Sequence, residues 1–187
     1  MKNLYYLWFL ISSVSFSQSN YYNEEELYKR ANDYSRAFLG NNRYELPTSD
    51  ERKLMKNKDQ NVEDYASKKA LECFEYLINN FPSSKNISDY YFKLGTLEYH
   101  LKSYEKSRKN LIKSIETNKL KTYPFIRKTH ILLAKALIEE KSFNEALICL
   151  QEIGKHRLQP MCGNQFFDES NEVKPLYEII QINLEQN

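Results

Sequence analysis

Residues 91–115 read YFKLGTLEYHLKSYEKSRKNLIKSI, and residues 130–153 read HILLAKALIEEKSFNEALICLQEI. The two segments align with a constant offset of 39 residues. The aligned pairs are Leu94 with Leu133, Gly95 with Ala134, Tyr104 with Phe143, Ser107 with Ala146, and Leu111 with Leu150. Self-similarity at such a period indicates a repeated helical unit.

An earlier segment, ASKKALECFEYLINNFP at residues 66–82, matches the second half of this unit at an offset of 37 residues. Ala70 aligns with Ser107, and Phe74 aligns with Leu111. We expect the small residues of each unit to let paired helices approach closely. Each pair then has an apolar face that a neighbouring pair must cover, so the units should stack.

The composition also favours helices. The chain has 187 residues, of which 41% are hydrophobic and 28% charged, with 4 Gly and 5 Pro. Sheet-rich folds normally need more turn residues than this. The 27 basic and 25 acidic residues are interspersed and give a net charge of +2, which argues against a nucleic-acid partner.

Hydrophobic spacing predicts where the helices lie. Asn23 can cap the first helix, and Gly40 should end it. Residues 40–61 are polar, with a loop at Pro47–Asp50 and at most a weak helical tendency after it. The predicted helices cover residues 23–39, 62–80, 90–101, 104–117, 123–140, 143–155 and 173–184, and residues 157–171 are expected to form a loop.

The first 17 residues, MKNLYYLWFLISSVSFS, have the layout of a secretory signal peptide. Lys2 gives a positive start, an apolar run follows, and Ser15 and Ser17 precede a cleavage point ahead of Gln18. The apolar run is too short for a permanent membrane helix. We therefore expect an exported protein, periplasmic or secreted, with no membrane span after cleavage. The alternative is a hydrophobic N-terminal helix of a cytosolic protein.

The repeated pattern resembles the tetratricopeptide repeat. The middle unit carries this resemblance at Tyr91, Leu94, Gly95, Tyr104, Ser107, Leu111 and Ser114, the next at Leu133, Ala134, Phe143, Ala146 and Leu150, and the first at Ala70, Phe74 and Pro82. The resemblance implies an all-α fold: a short solenoid of stacked antiparallel helix pairs over residues 62–155. An N-terminal helix and loop (18–61) and a C-terminal loop and capping helix (156–187) would flank it. A generic helical bundle is the alternative.

The chain departs from the family pattern at several places. Glu98 stands where the family usually has an aromatic residue, and Ile153 stands where a small one is usual. The spacing between units is about five residues longer than the family period. The first unit has no recognisable first helix, unless residues 23–39 fill that place across a long loop.

In proteins of this family, the first helices of the pairs line a groove that holds a peptide. The resemblance therefore implies a partner-binding groove lined by Phe92, Thr96, Tyr99, Ile131, Lys135 and Ile138. The mostly apolar lining suits a protein or peptide segment. Phe92 and Ile131 stand where the subtype that grips a terminal carboxylate needs polar groups, so that subtype is disfavoured. The alternative is that these residues pack on the N-terminal helix or loop.

We find no pattern that predicts catalysis, a cofactor or a metal site. No two of His100, His130 and His156 are three or four residues apart, and HExxH, CxxC, GxSxG and phosphate-loop motifs do not occur. Cys73 and Cys149 take equivalent places in two units and are expected to fill small buried spaces. A disulfide with Cys162 remains an open alternative.

Two functions follow as expectations. The first is an exported adaptor or scaffold that binds a partner protein in a helical groove and is not an enzyme. The second is a structural helical domain of the cell envelope that associates with itself and needs no peptide ligand. The final helix, with Ile179, Ile180 and Leu184, could dock a second copy.

Overall fold

The computed structural model describes residues 23–40, 46, 48–58, 61–119, 122–155 and 172–186. The predicted signal peptide and the whole 157–171 segment, which contains Cys162, lie outside these residues. The described residues form eight helices and no strand, which confirms the all-α prediction. They are α1 Glu24–Phe38, α2 Ser49–Lys58, α3 Val62–Asn80, α4 Ile87–His100, α5 Tyr104–Thr117, α6 Tyr123–Glu139, α7 Phe143–Lys155 and α8 Lys174–Glu185.

The first helix begins and ends where its sequence predicts. The Asn23 side chain accepts a hydrogen bond of 2.8 Å from the backbone N–H of Glu26, which satisfies one of the unpaired donors at the helix start. Gly40 follows the helix with a positive φ of 76°. Asn61 caps α3 in the same way, through the N–H of Glu63 at 2.9 Å.

The polar stretch after α1 contains a helix, α2, where the sequence indicated a loop with weak helical tendency. Thr48 Oγ1 accepts from the N–H of Glu51, and a Glu51 carboxylate oxygen accepts from the N–H of Thr48, both at 3.2 Å. This reciprocal pair is a capping box. Tyr34 and Tyr65 also donate to the Glu51 carboxylate, so the start of α2 is anchored to both α1 and α3. Burial acts to raise the pKa of Glu51, but these hydrogen bonds outweigh it and lower the pKa.

Neighbouring helices pack in sequence. Helix α1 packs on α3 across the α2 segment, and α3 then contacts α4. The hairpins α4–α5 and α6–α7 follow, with α5 packed on α6, and α8 covers α7. Residues 24–38 thus supply the helix that pairs with α3. The buried residues form two clusters, one around α1, α3 and α4 and one around α6, α7 and α8, and Leu111 of α5 belongs to the second.

The turns of the two central hairpins have the same backbone geometry. Lys102 has φ 59°, and Lys141, which lies 39 residues later, has φ 62°. In each turn the following serine N–H bonds to the carbonyl five residues earlier at 2.8 Å, and the lysine N–H bonds to the carbonyl three residues earlier. These are the bonds of a Schellman helix end, with lysine where glycine is usual. The 39-residue offset of the sequence therefore recurs in the backbone.

The small residues of α4 and α5 allow the close approach that the sequence predicts. A Cβ atom added at Gly95 would lie 2.9 Å from Leu111 Cγ and 3.2 Å from the carbonyl oxygen of Ser107. The Ser107 hydroxyl is fully buried and donates to the Gly95 carbonyl at 2.8 Å. Gly95 is therefore required by packing rather than by backbone conformation.

Glu98 lies in the same interface, where the family pattern expects an aromatic residue. Its side chain is buried and accepts a hydrogen bond of 2.7 Å from the Asn110 amide on α5. Burial raises the pKa of Glu98, while the bond from Asn110 partly opposes that shift. A polar pair thus lies between α4 and α5 at this position.

Candidate partner-binding surface

The six residues predicted to line a groove lie on two neighbouring helices. Phe92, Thr96 and Tyr99 follow one another along α4, and Ile131, Lys135 and Ile138 follow one another along α6. Both sets have the spacing of one helix face. Helices α4 and α6 contact each other directly, as shown by the rings of Phe92 and Phe125, whose centres are 5.7 Å apart. We call the surface formed by these two sets the α4–α6 face.

The six side chains differ in how far they are available to a partner. Ile131 is 5% exposed and packs in the core with Leu133 and Leu137, so it lies beneath the face and is not accessible to a partner. The Thr96 hydroxyl donates to the Phe92 carbonyl at 2.8 Å. Phe92, Thr96, Tyr99, Lys135 and Ile138 are all half-buried, so part of each side chain remains accessible.

One end of the face holds a lysine over two aromatic rings. The Lys128 ammonium lies 4.3 Å from the centre of the Phe92 ring and 4.7 Å from that of Phe125. Both distances are within the range of cation–π attraction. Burial lowers the pKa of Lys128, Asp89 acts to raise it, and Lys93 lowers it further.

Asp89 connects the helices α1, α4 and α6 at this end. One of its carboxylate oxygens accepts a hydrogen bond from the Tyr28 hydroxyl of α1. The other lies 3.9 Å from the Lys128 ammonium of α6. Burial and the contact with Asp89 raise the pKa of Tyr28. A single carboxylate of α4 therefore contacts one residue of α1 and one of α6, both near the starts of their helices.

The other end of the face is aromatic and mixed in charge. The Tyr99 ring centre lies 5.6 Å from that of Tyr104 and 5.7 Å from that of His100. Burial raises the pKa of Tyr99, and the charge of Glu139 adds to this effect. Burial lowers the pKa of His100, and the charge of Lys135 lowers it further.

A cleft of about 690 Å³ lies between α1 and α4, beside the α4–α6 face. Tyr28, Asn32 and Arg36 line it from α1 at helical spacing, and Lys93 lines it from α4. Its remaining lining residues are Asn23, Glu25, Glu26, Lys29 and Asp33. The cleft is therefore polar, with acidic and basic groups in equal number, unlike the aromatic α4–α6 face.

The sequence interpretation did not include Asp89 and Lys128, which lie one helical turn before the predicted residues. Asp89 precedes Phe92 by three positions, and Lys128 precedes Ile131 by three. Extending each predicted stripe backward by one turn would have found both. The contact with Phe125 had no such signal, because ring packing between helices depends on their relative placement.

Other candidate chemistry is sparse in the described part of the chain. Cys73 and Cys149 are free thiols, and burial raises the pKa of each to about 11, which makes them unreactive at neutral pH. His130 is buried with Nδ1 2.8 Å from the Ile126 carbonyl, so Nδ1 carries the proton. Among the described residues, no cluster of three or more His, Cys, Asp or Glu side chains could hold a metal ion.

The described helices include none with both the length and the apolar character needed to cross a bilayer. Comparisons with protein-family models, curated proteins and solved structures find no match to this chain.

Proposed function

We propose that this protein is an exported binding scaffold of the tetratricopeptide type, which holds a segment of a partner protein on the α4–α6 face. The observation that carries the proposal is the repeated hairpin. The turns at Lys102 and Lys141 have the same backbone geometry at the 39-residue offset of the sequence repeat. Helices α4 and α6 contact each other, and stacked helix pairs of this kind commonly form an extended binding surface.

The side chains on that face suit a protein segment better than a small molecule. Phe92, Tyr99 and Ile138 are half-buried apolar or aromatic groups spread along two helices. Such extended arrangements match the anchor positions of a helical or extended peptide. Export is supported by the signal-peptide layout of residues 1–17.

The test is affinity capture from the native envelope fraction, with mass spectrometry of what is retained. The binding-face variant is Tyr99→Ala with Lys135→Ala. The control is Ile148→Ala on α7, which removes a large side chain that is 57% exposed and lies outside the face. We expect the wild type and the control to retain the same proteins and the face variant to lose them. Equal retention by all three would reject the proposed site.

The export premise has its own test. Sequencing the N-terminus of the protein recovered from the envelope or the medium should show a start at Gln18. Recovery of intact chains that begin at Met1 would remove that premise without affecting the binding proposal.

A second candidate function, self-association, is favoured by exposed isoleucines on α8. Ile179 is 42% exposed and Ile182 is 55% exposed, and the two are one helical turn apart. Ile180 is fully buried against the core, so the exposed pair lies on the outer side of the helix. Sedimentation at two protein concentrations distinguishes the candidates, because a strict monomer at both excludes self-association.

A further inference from the structure

Helix α2 is attached to the fold differently from the other helices. Among the helices that the structure describes, it is the only one without extensive packing on another helix. Its described side chains, at residues 49–53, are all half-buried or exposed. Leu46, three positions before α2, is 3% exposed and belongs to the apolar cluster of α1, α3 and α4. Packing therefore anchors the chain before α2 more firmly than α2 itself.

The Glu51 carboxylate joins α2 to both neighbouring helices. One of its oxygens accepts from the Tyr34 hydroxyl of α1 and, at 3.2 Å, from the Tyr65 hydroxyl of α3. The other oxygen accepts from the N–H and the hydroxyl of Thr48, at 3.2 and 2.8 Å. Four donors thus converge on one carboxylate, an arrangement that favours its charged form.

Of the groups in this hydrogen-bond cluster, only Glu51 changes its charge between neutral and acid pH. Burial raises the pKa of Tyr65 to about 12, the charge of Glu51 adds to this shift, and that of Arg30 opposes it. Burial and the bond to Glu51 also raise the pKa of Tyr34. Both hydroxyls therefore keep their protons and remain donors. The other titratable or charged side chains that face the cluster from the packed helices are Arg30 of α1 and Lys69, Glu72 and Cys73 of α3.

We propose that α2 is a pH-sensitive element of the fold, docked on α1 and α3 while Glu51 is ionised and detached when Glu51 is protonated. This inference concerns a different part of the molecule from the α4–α6 face and goes beyond the proposed function. Hydrogen bonds to a carboxylate are stronger than those to a neutral carboxyl group. A detached helix of 10 residues is too short to be stable alone, so its backbone hydrogen bonds open as well.

The direction of the pH dependence follows from the lowered pKa of Glu51. Burial acts to raise this pKa, and the hydrogen bonds outweigh burial. The docking contribution is therefore complete above the ordinary glutamate pKa of about 4.3 and is lost as pH falls through the lower folded pKa. Helices α1 and α3 stay paired after release, because buried apolar residues such as Leu27, Ala31 and Phe74 join them.

The experiment is hydrogen exchange of the full mature protein, measured by mass spectrometry from neutral pH to pH ~3. Exchange is expressed as protection factors, which remove the intrinsic effect of pH on exchange. Peptides from α2 are compared with peptides from α6 and α7. The variant is Glu51→Gln, which keeps the side-chain size and cannot ionise. The matched control is Asp50→Asn, which neutralises the neighbouring, exposed carboxylate of the same helix turn.

We expect acid to lower the protection of α2 about tenfold in the wild type, the factor that corresponds to loss of one hydrogen bond to a charged group. Protection of α6 and α7 should not change. Glu51→Gln should show the lower α2 protection already at neutral pH and no further loss in acid, and Asp50→Asn should behave as the wild type.

Three results would overturn the proposal. The first is an α2 that is unprotected in the wild type at neutral pH. The second is loss of protection in α2, α6 and α7 together on acidification, which indicates global unfolding. The third is a wild-type pH response in Glu51→Gln. If that variant does not fold, Tyr65→Phe takes its place, since it removes one donor to Glu51 and keeps the ring; unchanged α2 protection in Tyr65→Phe at neutral pH would then refute the proposal.

Discussion

Replacing Gly95 by alanine tests whether the α4–α5 hairpin is held by close helix contact. The added Cβ would lie 2.9 Å from Leu111 Cγ. This is about 0.6 Å short of the roughly 3.5 Å at which carbon atoms normally meet. Leu111 is fully buried, and the other near atom is the backbone oxygen of Ser107. The Leu111 side chain can move only against the core atoms that surround it, and the Ser107 oxygen can move only with the backbone of α5.

Two opposing effects determine how much Gly95→Ala changes the stability of the protein. Overpacking a core typically costs about 1–3 kcal/mol. Alanine is preferred over glycine inside a helix by about 1 kcal/mol. We therefore expect Gly95→Ala to destabilise the protein by about 1 kcal/mol, as measured by urea unfolding followed with far-ultraviolet circular dichroism.

Gly154 provides a matched control, because it also lies in a helix but has no atom within 4 Å of a built Cβ. Gly154→Ala should stabilise the protein by up to about 1 kcal/mol, since the propensity gain is unopposed. The gap between the two variants, about 2 kcal/mol, then measures the overpacking. Stabilisation by Gly95→Ala as large as that by Gly154→Ala would refute the close-contact argument.

A double-mutant cycle with Leu111→Ala isolates the clash. Leu111→Ala alone should cost about 2–5 kcal/mol, because it opens a cavity in the core. On that background the alanine at position 95 has room, so Gly95→Ala should become stabilising. A penalty that persists without the Leu111 side chain would place the clash elsewhere.

Three further predictions concern the turns, the buried carboxyl group of Glu98 and the half-buried carboxylate of Glu51. Lys102→Gly and Lys141→Gly should each stabilise the protein by about 0.5–1 kcal/mol in urea unfolding. Glycine removes the steric cost of a left-handed backbone, and this gain outweighs its greater loss of conformational entropy on folding. Destabilisation by both would contradict the turn geometry. Burial raises the pKa of Glu98, so the stability that this side chain contributes is present at low pH and is lost as pH rises through the folded pKa. The Glu98→Gln variant should therefore have the same stability as the wild type near pH ~4 and become the more stable of the two as pH approaches neutral. A pH-independent difference in thermal unfolding would contradict this. Hydrogen bonds lower the pKa of Glu51, so the pH dependence of its contribution to stability is opposite to that of Glu98. The wild type should be more stable than Glu51→Gln by about 1–2 kcal/mol at neutral pH, and this difference should disappear as pH falls through the folded pKa. Equal thermal stability at neutral pH would mean that these bonds contribute nothing.

Most helix positions could be predicted because they follow from local patterns. The spacing of apolar residues predicted α3 and α5 within a residue or two, and Asn23 predicted the cap of α1. Helix α2 was missed because its residues lack an apolar stripe. The capping-box pattern of Thr48 and Glu51 was present in the sequence and would have identified its start.

The candidate site could be predicted less well. Phe92, Thr96 and Tyr99 lie on α4, and residues at this spacing share one face of a helix. That this face binds a partner stays a prediction. The burial of Ile131 could not be read from the same rule. Its exposure depends on how α6 sits between α4, α7 and α8, and that placement results from packing over the whole chain.

The sequence by itself determined the helical fold class, the positions of most helices and the repetition of two hairpins. These features depend on residues that are close together in one helix or one hairpin, such as the periodic apolar residues and the small residues at close contacts. Only the tertiary structure decided that residues 24–38 pair with α3, that Glu98 bonds to Asn110, and that Asp89 joins α1 to α6 through Tyr28 and Lys128. These contacts join residues from different helices. Their distances depend on how whole helices pack, which no single segment of the sequence specifies.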